Sequence, residues 1–417
     1  MSRVITMQDI KNERIDNIKW KYEGIEKDET SYPLRVWENL ECILDEYDIK
    51  LSYNVVNKEI ISNMEDSTRN SLLTDIHSLN LKEFLNLTRE ETANGITRIA
   101  EKNKFNPFVE LLEENENNDY EIIKEVFDCI QINDEYKDNY NYYFTLFTKW
   151  CLNLVKLANN TLKNSYKTSG VLVLQGGQGC YKSTFASKLM PEKSLFKGDK
   201  TLDPDKTDSI MQNTNYILVE WGELDSTLKG EQSKLKQFIT SSNDEYRSPY
   251  ARFAEKHPRL TSYIGTVNKV DFLKDETGSR RFWIIPVIKC DINKMDTIDM
   301  KKFWGAVYSL WKGETIGETI KDYLEEDEQQ KLYEVNARYN YQTDASYLVE
   351  EKIKWDMPKE EWDVYGITEI ANYLMTKESK SVKIELEKKG LKYSSHRTRA
   401  GKVKKGFKIP RFEVVLN

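Results

Sequence analysis

A glycine-rich turn between an apolar strand and a helix is the feature that most constrains this chain. Residues 171–184 read Val-Leu-Val-Leu-Gln-Gly-Gly-Gln-Gly-Cys-Tyr-Lys-Ser-Thr. Glycines allow backbone N–H groups to curve around phosphate oxygens, and a helix N-terminus adds a favourable dipole. In this pattern Lys182 is expected to contact the β- and γ-phosphates of ATP, and the Ser183 hydroxyl to ligate Mg²⁺. The stretch therefore predicts a phosphate loop (P-loop) within an α/β fold.

The predicted nucleotide-binding residues form one continuous run, namely Gly176, Gly177, Gln178, Gly179, Cys180, Tyr181, Lys182, Ser183 and Thr184. The run departs from the pattern G-x-x-x-x-G-K-[ST] because Tyr181 replaces the last glycine. The alternative interpretation is a chance glycine turn before a helix. The apolar run before the turn and the helical pattern over 185–190 favour a nucleotide site, with Tyr181 altering the detailed phosphate geometry.

Carboxylates and an amide follow two further predicted strands. Glu220 and Glu223 end the apolar run 216–219, and Asn268 ends the run 260–267. Because the carboxyl ends of parallel strands lie at one edge of a sheet, these groups are expected beside the phosphate loop. Glu220 is the predicted metal ligand together with Ser183, although the sequence does not decide which glutamate serves the metal and which the attacking water. A solvated strand end is the alternative.

Two adjacent arginines, Arg280 and Arg281, follow the glycine turn at Gly278. Guanidinium groups suit bidentate contact with a transferring phosphoryl group. Surface ion pairing with the preceding acids Asp275 and Glu276 is the alternative.

Composition favours a large soluble protein in a reducing cytoplasm. The mean hydropathy is −0.68 and 31% of the residues are charged, and no apolar run approaches the roughly 20 residues of a membrane-spanning helix. The five cysteines lack the spacing of a metal site or a disulfide framework. The sequence thus predicts no membrane association.

The net charge of −7 is unevenly distributed along the chain. The segment 366–417 contains thirteen Lys or Arg and five Asp or Glu, a net charge of +8. Two short amphipathic helices and a basic, glycine-bearing strand region follow one another there, which predicts a winged helix that docks on duplex DNA. A protein-binding winged helix is the alternative. The predicted DNA contacts of this module are Lys380, Lys383, Arg397, Arg399, Lys402, Lys404 and Lys405.

The motifs divide the chain into four predicted parts. Residues 1–165 are expected to form a largely helical N-terminal region, and residues 166–340 an ATPase core with a parallel sheet and a helical lid. Residues 341–365 are predicted to be a linker, because Pro358 and alternating charge dominate 354–362. Residues 366–417 form the winged helix.

Five motifs in fixed order resemble the virulence-associated protein E family of phage and mobile-island proteins, which is similar to superfamily 3 helicases. They are Gly176–Thr184, Glu220–Leu224, Asp244–Tyr250, Gly265–Asn268 and Thr277–Trp283. The resemblance covers about residues 95–340. It implies an AAA+-type P-loop ATPase core, a hexameric ring and DNA translocation, with the N-terminal region as a collar or loading element.

The resemblance also implies roles for residues at matching positions. Lys182 and Ser183 become the nucleotide-binding pair, Asn268 the sensor, and Arg280 or Arg281 the arginine finger that enters a neighbouring subunit. Related helicases project a hairpin into the ring pore before the sensor strand. On that basis Lys256 and His257 are expected at a hairpin tip, where they would contact single-stranded DNA. An ordinary surface hairpin is the alternative.

The expected function is an ATP-dependent DNA helicase or replication initiator of a phage or mobile genetic element. Two alternatives remain open at this level. One is an origin-binding ATPase that remodels DNA without processive unwinding. The other is a P-loop phosphotransferase, which the paired arginines, the sensor asparagine and the basic C-terminal module disfavour.

Overall fold

A computed structural model of the chain describes residues 18–26, 30–64, 68–228, 232–247, 254–273, 279–313, 321–339 and 344–412. The chain divides into two compact units. The larger comprises Met1–Lys269 and Thr277–Val335, and the smaller comprises Val270–Glu276 and Asn336–Asn417. Among the described residues, none of the helices combines the length and apolar character needed to cross a membrane.

The N-terminal part of the larger unit mixes short strands with helices. Its elements are β1 (Glu23–Ile25), β2 (Ser31–Pro33), α1 (Trp37–Glu46), β3 (Leu51–Asn54), β4 (Glu59–Ser62), α2 (Arg69–Lys82), α3 (Arg89–Lys102) and β5 (Lys104–Phe105). A capping box between Thr88 and Glu91 begins α3. Leu40, Ile76 and Ile96 belong to a separate apolar cluster that holds these elements together. The strands lie in the region that the sequence predicted to be largely helical.

A six-stranded sheet forms the centre of the larger unit, in the order β6-β13-β7-β12-β9-β8. All neighbours are parallel except β6, which pairs antiparallel with β13. The predicted α/β class with a mostly parallel sheet is therefore confirmed. The strands are β6 (Ile130–Ile132), β7 (Val171–Gln175), β8 (Phe196–Lys197), β9 (Leu218–Trp221), β12 (Ser262–Val267) and β13 (Phe282–Cys290).

Helices of the larger unit accompany these strands. They are α4 (Pro107–Glu114), α5 (Glu121–Phe127), α6 (Tyr140–Ala158), α7 (Lys182–Lys188), α8 (Thr207–Gln212), α9 (Leu224–Thr227), α10 (Gln232–Ile239), α11 (Ile292–Met295), α12 (Met300–Lys312) and α13 (Glu326–Asn336). Buried tryptophans connect helices to the rest of the core. The Trp150 indole on α6 donates to the carbonyl of Tyr263 at 3.1 Å, and that of Trp304 on α12 donates to the carbonyl of Leu189 at 2.7 Å.

Strand β7 is buried on both faces, which explains its continuous apolar sequence. It lies between β12 and β13, so the glycine turn that follows Gln175 emerges from the middle of the sheet. The 3₁₀ turn Ser279–Arg281 precedes β13 at the opposite, amino end of the same strands. The two ends of the sheet therefore carry different functional groups.

The smaller unit has the element order helix, strand, helix, helix, strand, strand. Its elements are α14 (Asp344–Lys352), β14 (Trp362–Tyr365), α15 (Ile367–Tyr373), α16 (Ser379–Lys388), β15 (Ser394–Arg397) and β16 (Val403–Pro410). The three strands pair antiparallel in the order β14-β16-β15. Residues 398–402 form the turn between β15 and β16.

Residues 344–365 of the segment predicted as a linker, 341–365, are described by the structure and belong to this smaller unit. Ala345, Val349 and Ile353 recur at helical spacing, and all three are buried in its core beside residues of α15 and α16. The alternating charges at 354–362 follow α14, and the charged residues of α14 itself, such as Asp344 and Glu350, are exposed. Burial of this narrow apolar stripe is the reason that α14 is part of the folded unit and not a tether.

Candidate functional site at the carboxyl edge of the sheet

Seven of the nine predicted nucleotide-binding residues, Gln178 to Thr184, line a cavity of about 610 Å³ at the carboxyl edge of the six-stranded sheet, whereas Gly176 and Gly177 lie outside its lining. The phosphate loop follows β7, Glu223 follows β9, and Asn268 follows β12. The strand order places β12 between the other two, so Asn268 lies between the loop and the acidic segment. Residues far apart in the chain thus line a single cavity.

Lys182 occupies the base of this cavity. Its ammonium donates hydrogen bonds to the carbonyl oxygens of Gly176 (2.9 Å) and Gly177 (2.7 Å) and to Oδ1 of Asn268 (3.0 Å). Burial lowers the pKa of Lys182, while the nearby Cys180, Cys290 and Glu220 groups act in the opposite direction. Three acceptors therefore hold a desolvated cation beside the predicted phosphate position.

Glycine is required at two points of the loop. A Cβ at Gly176 would lie 2.1 Å from the carbonyl oxygen of Val287, and Gly179 has φ +82°. Tyr181, at the position of the missing glycine, also adopts the left-handed region with φ 61° and ψ 26°. Its side chain is 52% exposed and lines the cavity, with the Lys289 ammonium 5.9 Å from the ring centre. The loop thus keeps the backbone conformation of a glycine while presenting an aromatic ring.

The two predicted glutamates occupy different environments. Glu223 is exposed, lines the cavity and has φ 48°. Glu220 is only 2% exposed and lies behind Thr266, whose hydroxyl donates to Glu220 Oε1 at 3.0 Å. Glu220 is absent from the cavity lining, so any contact that it makes with a metal would pass through water or a rotation of Thr266.

Sequence reasoning missed four residues of the lining, namely Asp199, Gly222, Thr266 and Lys269. Asp199 follows the two-residue strand β8 with φ 54°, and its backbone N–H lies 3.4 Å from Glu220 Oε2. A strand of two residues has no detectable periodicity, so Asp199 had no sequence signal. Thr266 and Lys269 flank Asn268, and the carboxyl end of a predicted strand was a signal that applied to them equally.

Arg280 and Arg281 lie at the amino end of β13, whereas the phosphate loop follows the carboxyl end of β7. Phe282 pairs with Val171 and Pro286 pairs with Gln175, so five residues of strand separate the two sites. At about 3.3 Å per residue the separation is roughly 16 Å. The structure does not bring these arginines to the cavity of their own chain. They instead line a separate cavity of about 240 Å³ with Trp283 and Tyr323.

The predicted hairpin has a different register from the one expected. Strand β10 (Asn243–Tyr246) pairs antiparallel with β11 (Glu255–Pro258), and His257 lies opposite Asp244. Lys256 and His257 therefore belong to a strand and not to the tip, and residues 248–253 lie outside the described residues. His257 is half-buried against the Tyr246 ring at 4.8 Å, and burial lowers its pKa to about 4. The expectation that Lys256 and His257 form the hairpin tip is therefore wrong, because both lie within β11.

The cations of the smaller unit fall into two groups. Lys380, Lys383, Arg397, Arg399, Lys402 and Lys405 are exposed on α16, β15, β16 and the turn between the strands. The Lys404 ammonium instead donates to both carboxylate oxygens of Glu369, at 2.7 and 2.8 Å. Lys383 also lies 3.8 Å from Glu387, an exposed pair that contributes little to stability.

Comparison with known proteins identifies a related domain and a related fold. A family model described as the virulence-associated protein E-like domain matches residues 112–341, which is more than half of the chain. No curated protein matches the chain.

Among solved structures, the chain is similar to "The apo structure of NrS-1 C terminal region (305-718)", with 13% sequence identity and a TM-score of 0.51. The match covers 92% of this chain and 100% of that chain. Another apo structure of the NrS-1 C-terminal region has 13% identity and a TM-score of 0.46, with coverages of 87% and 88%. At these identities the likeness concerns the fold alone.

Proposed function

Because the chain belongs to the virulence-associated protein E-like family, we propose that it is an ATP-dependent DNA helicase or replication initiator of a phage or mobile genetic element. The observation that carries this proposal is the contact of Lys182 with both the glycine loop and Asn268. One cation joins the phosphate loop to the sensor position at an open cavity, which is the arrangement that nucleotide hydrolysis requires.

The residues of the cavity suit Mg²⁺ and ATP. Gly179 leaves open space beside the loop, and the Ser183 hydroxyl lies in the first turn of α7, where the helix dipole favours an anion. Asp199 and Glu223 offer the carboxylate oxygens that Mg²⁺ prefers. Bound Mg²⁺ would neutralise charge that develops on the β- and γ-phosphates.

Each side chain then has a task that its environment supports. Lys182 exchanges its carbonyl contacts for phosphate oxygens, and Asn268 remains beside it to sense the γ-phosphate. Glu223, exposed at the cavity wall, orients the attacking water. Glu220 accepts a hydrogen bond from the Thr266 hydroxyl, which would hold that side chain in place, and Glu220 would act on a bound Mg²⁺ only indirectly.

The arginine geometry supports an assembly of several copies, and we propose a hexameric ring. Arg280 and Arg281 lie roughly 16 Å from their own phosphate loop. They can act on a phosphoryl group only when a neighbouring subunit presents its cavity to them. An arginine finger of this kind would make hydrolysis depend on assembly.

The smaller unit supports DNA docking. Its order of helix, strand, two helices and a final hairpin, with β14 beside β16, corresponds to a winged helix. Helix α16 would enter the major groove, and the basic turn 398–402 would contact phosphates. The charge of +8 over 366–417 favours duplex DNA over a protein partner.

The test is strand displacement on a forked DNA duplex with ATP, compared with the same reaction in a non-hydrolysable ATP analogue. The wild-type chain should separate the strands only with ATP, and Lys182→Ala should abolish separation. DNA-stimulated hydrolysis without displacement would replace the helicase proposal with an origin-remodelling ATPase. Phosphate transfer to a small molecule, with no response to DNA, would favour a phosphotransferase.

A further inference from the structure

A second cavity of about 920 Å³ lies in the larger unit and shares no lining residue with the nucleotide cavity. Its walls come from β3 and β5 of the N-terminal part, from residues 158–163 after α6, and from β11. We refer to this cavity as the basic groove. At this size it lies at the upper end of the range for ligand sites.

The floor of the basic groove is aromatic and aliphatic. Tyr53 and Phe105 are half-buried lining residues, and Leu260 is a buried one. Leu162 contributes a side chain that is 60% exposed, which leaves apolar surface facing solvent at the groove. Flat rings on an accessible floor offer stacking surface to an unpaired base.

Lysines surround this floor. Lys104, Lys163 and Lys256 are exposed at the groove, and the Lys104 ammonium lies 5.6 Å from the centre of the Tyr53 ring. The closest carboxylates to Lys104 and Lys256 are both 3.9 Å away, in exposed pairs that cost little to exchange for a phosphate. The groove lining thus combines these lysines with two aromatic rings and also includes two carboxylates, Glu101 and Glu255.

We propose that the basic groove binds single-stranded DNA, with bases over Tyr53 and Phe105 and phosphates on Lys104, Lys163 and Lys256. A lining that combines rings and cations suits a polymer that carries both bases and phosphates, whereas an acidic peptide offers no repeating aromatic face. Paired bases could not stack on the floor, which excludes duplex DNA. The inference rests on the proposed DNA-dependent function and adds a strand-binding site outside the nucleotide cavity and the winged helix.

Binding of a fluorescent oligo-dT to the full-length chain, measured by anisotropy at several salt concentrations, tests the proposal. Phe105→Ala should weaken binding about five-fold or more, the loss of one base–aromatic stack. Lys163→Ala should also weaken it and reduce the log–log salt slope by about 0.7, whereas Lys163→Arg should retain most of the affinity. Lys137→Ala, which removes an exposed lysine far from the groove lining, is the matched control and should bind as the wild type does.

Two further measurements localise the contact. A bromodeoxyuridine-substituted strand should photo-crosslink to residues of the groove, Tyr53 or Phe105 foremost. Unlabelled oligo-dT should compete for binding, and polyglutamate of equal charge should not. Thermal unfolding of each variant identifies a loss of fold; Lys163 is exposed, so its variants remain informative if Phe105→Ala does not fold.

Unchanged oligo-dT affinity in Lys163→Ala and in folded Phe105→Ala would overturn the proposal that the basic groove binds single-stranded DNA. The proposed helicase function would remain intact. Equal competition by polyglutamate, or crosslinks confined to 366–417, would overturn it as well. If the wild-type chain shows no oligo-dT binding and no ATP-dependent strand displacement, the proposed function fails along with the groove.

Discussion

The carboxyl edge of the central sheet and the smaller unit hold their charged groups in opposite ways. Lys182 is 6% exposed and its ammonium is bonded to three oxygens. In the smaller unit, Lys402 and Lys405 are exposed on a hairpin. One region fixes single groups in position, and the other spreads charge over a surface.

This difference sets the expected size of each substitution. A buried, preorganised group acts at one point of a reaction, and its loss leaves partners unsatisfied. Exposed cations contribute additively to DNA binding through counterion release. The loss of each cation therefore removes only a small, salt-dependent share of the binding free energy. Substitutions in the larger unit should therefore change the rate of ATP hydrolysis by orders of magnitude. Those in the smaller unit should change the slope of log affinity for duplex DNA against log salt concentration.

The largest effect is expected at the amino edge of the sheet. Arg280→Ala should lower ATP hydrolysis by about 10³–10⁵, because the proposed arginine finger would stabilise transition-state charge. Arg281→Ala should cost less, since Arg281 is half-buried and Arg280 is exposed. Mixing Arg280→Ala with Lys182→Ala subunits should restore part of the activity at shared interfaces. Normal mixed assembly without any restored hydrolysis would argue against action between subunits.

Lys182→Ala should lower ATP hydrolysis by about 10²–10³, the usual loss when one preorganised donor is removed. The loop also loses a cation that holds the carbonyls of Gly176 and Gly177. Steady-state phosphate release measures the effect, and Lys188→Ala, on the outer part of α7, is the matched control. If Lys182→Ala kept the wild-type rate of ATP turnover, the nucleotide site would not lie at the carboxyl edge of the sheet.

The next expected effect is on stability in the smaller unit. Ile353→Ala should destabilise it by about 2–3 kcal/mol, because Ile353 is 3% exposed in its core. Tyr347→Ala, on the exposed face of α14 with 55% exposure, should change stability by less than about 0.5 kcal/mol. Chemical denaturation followed by tryptophan fluorescence measures both variants. If both variants changed stability by an equal and negligible amount, residues 344–353 would be a linker and not part of the folded unit.

Neutralising Arg397, Arg399, Lys402 and Lys405 together should weaken duplex binding and reduce its log–log salt slope by about 3–4, close to 0.9 for each phosphate contact. Lys404→Ala alone should change the slope least, because Glu369 already holds that ammonium. Anisotropy with a labelled duplex at several salt concentrations measures the slopes. If the slope stayed at the wild-type value, duplex DNA would bind to another surface of the protein.

The smallest effect concerns the strained position of the phosphate loop. Tyr181→Gly should stabilise the chain by about 0.5–1 kcal/mol, because relief of a left-handed non-glycine residue exceeds the entropy that glycine adds to the unfolded state. Tyr181→Ala, which keeps the left-handed strain, should bring no such gain. Thermal unfolding distinguishes the two, and a destabilised Tyr181→Gly would show that ring contacts outweigh the strain.

Local sequence patterns predicted those features of the fold that depend only on neighbouring residues. The strand, the glycine turn and α7 were visible in 171–188, and the α/β class followed from the alternation of apolar runs. The resemblance to the virulence-associated protein E family is confirmed by the match over 112–341. The helix α14 escaped prediction because Ala345, Val349 and Ile353 are a narrow stripe within a charged segment.

Pairing between distant segments decided the rest. A strand pattern repeats every two residues without specifying its partner, so only the register of β10 with β11 showed that His257 faces Asp244 and lies away from the hairpin tip. The insertion of β12 between β7 and β9 brings Asn268 to Lys182 and places Thr266 in front of Glu220.

The sequence by itself therefore determined the strand, the glycine turn and the helix over 171–188, because these elements form from contiguous residues. Tertiary structure alone decided that Asp199 joins the site, that Glu220 lies behind Thr266, and that Arg280 lies at the far end of the sheet. The physical reason is that these relations follow from strand order and register, which depend on the burial of whole strands against one another and leave no signature in neighbouring residues.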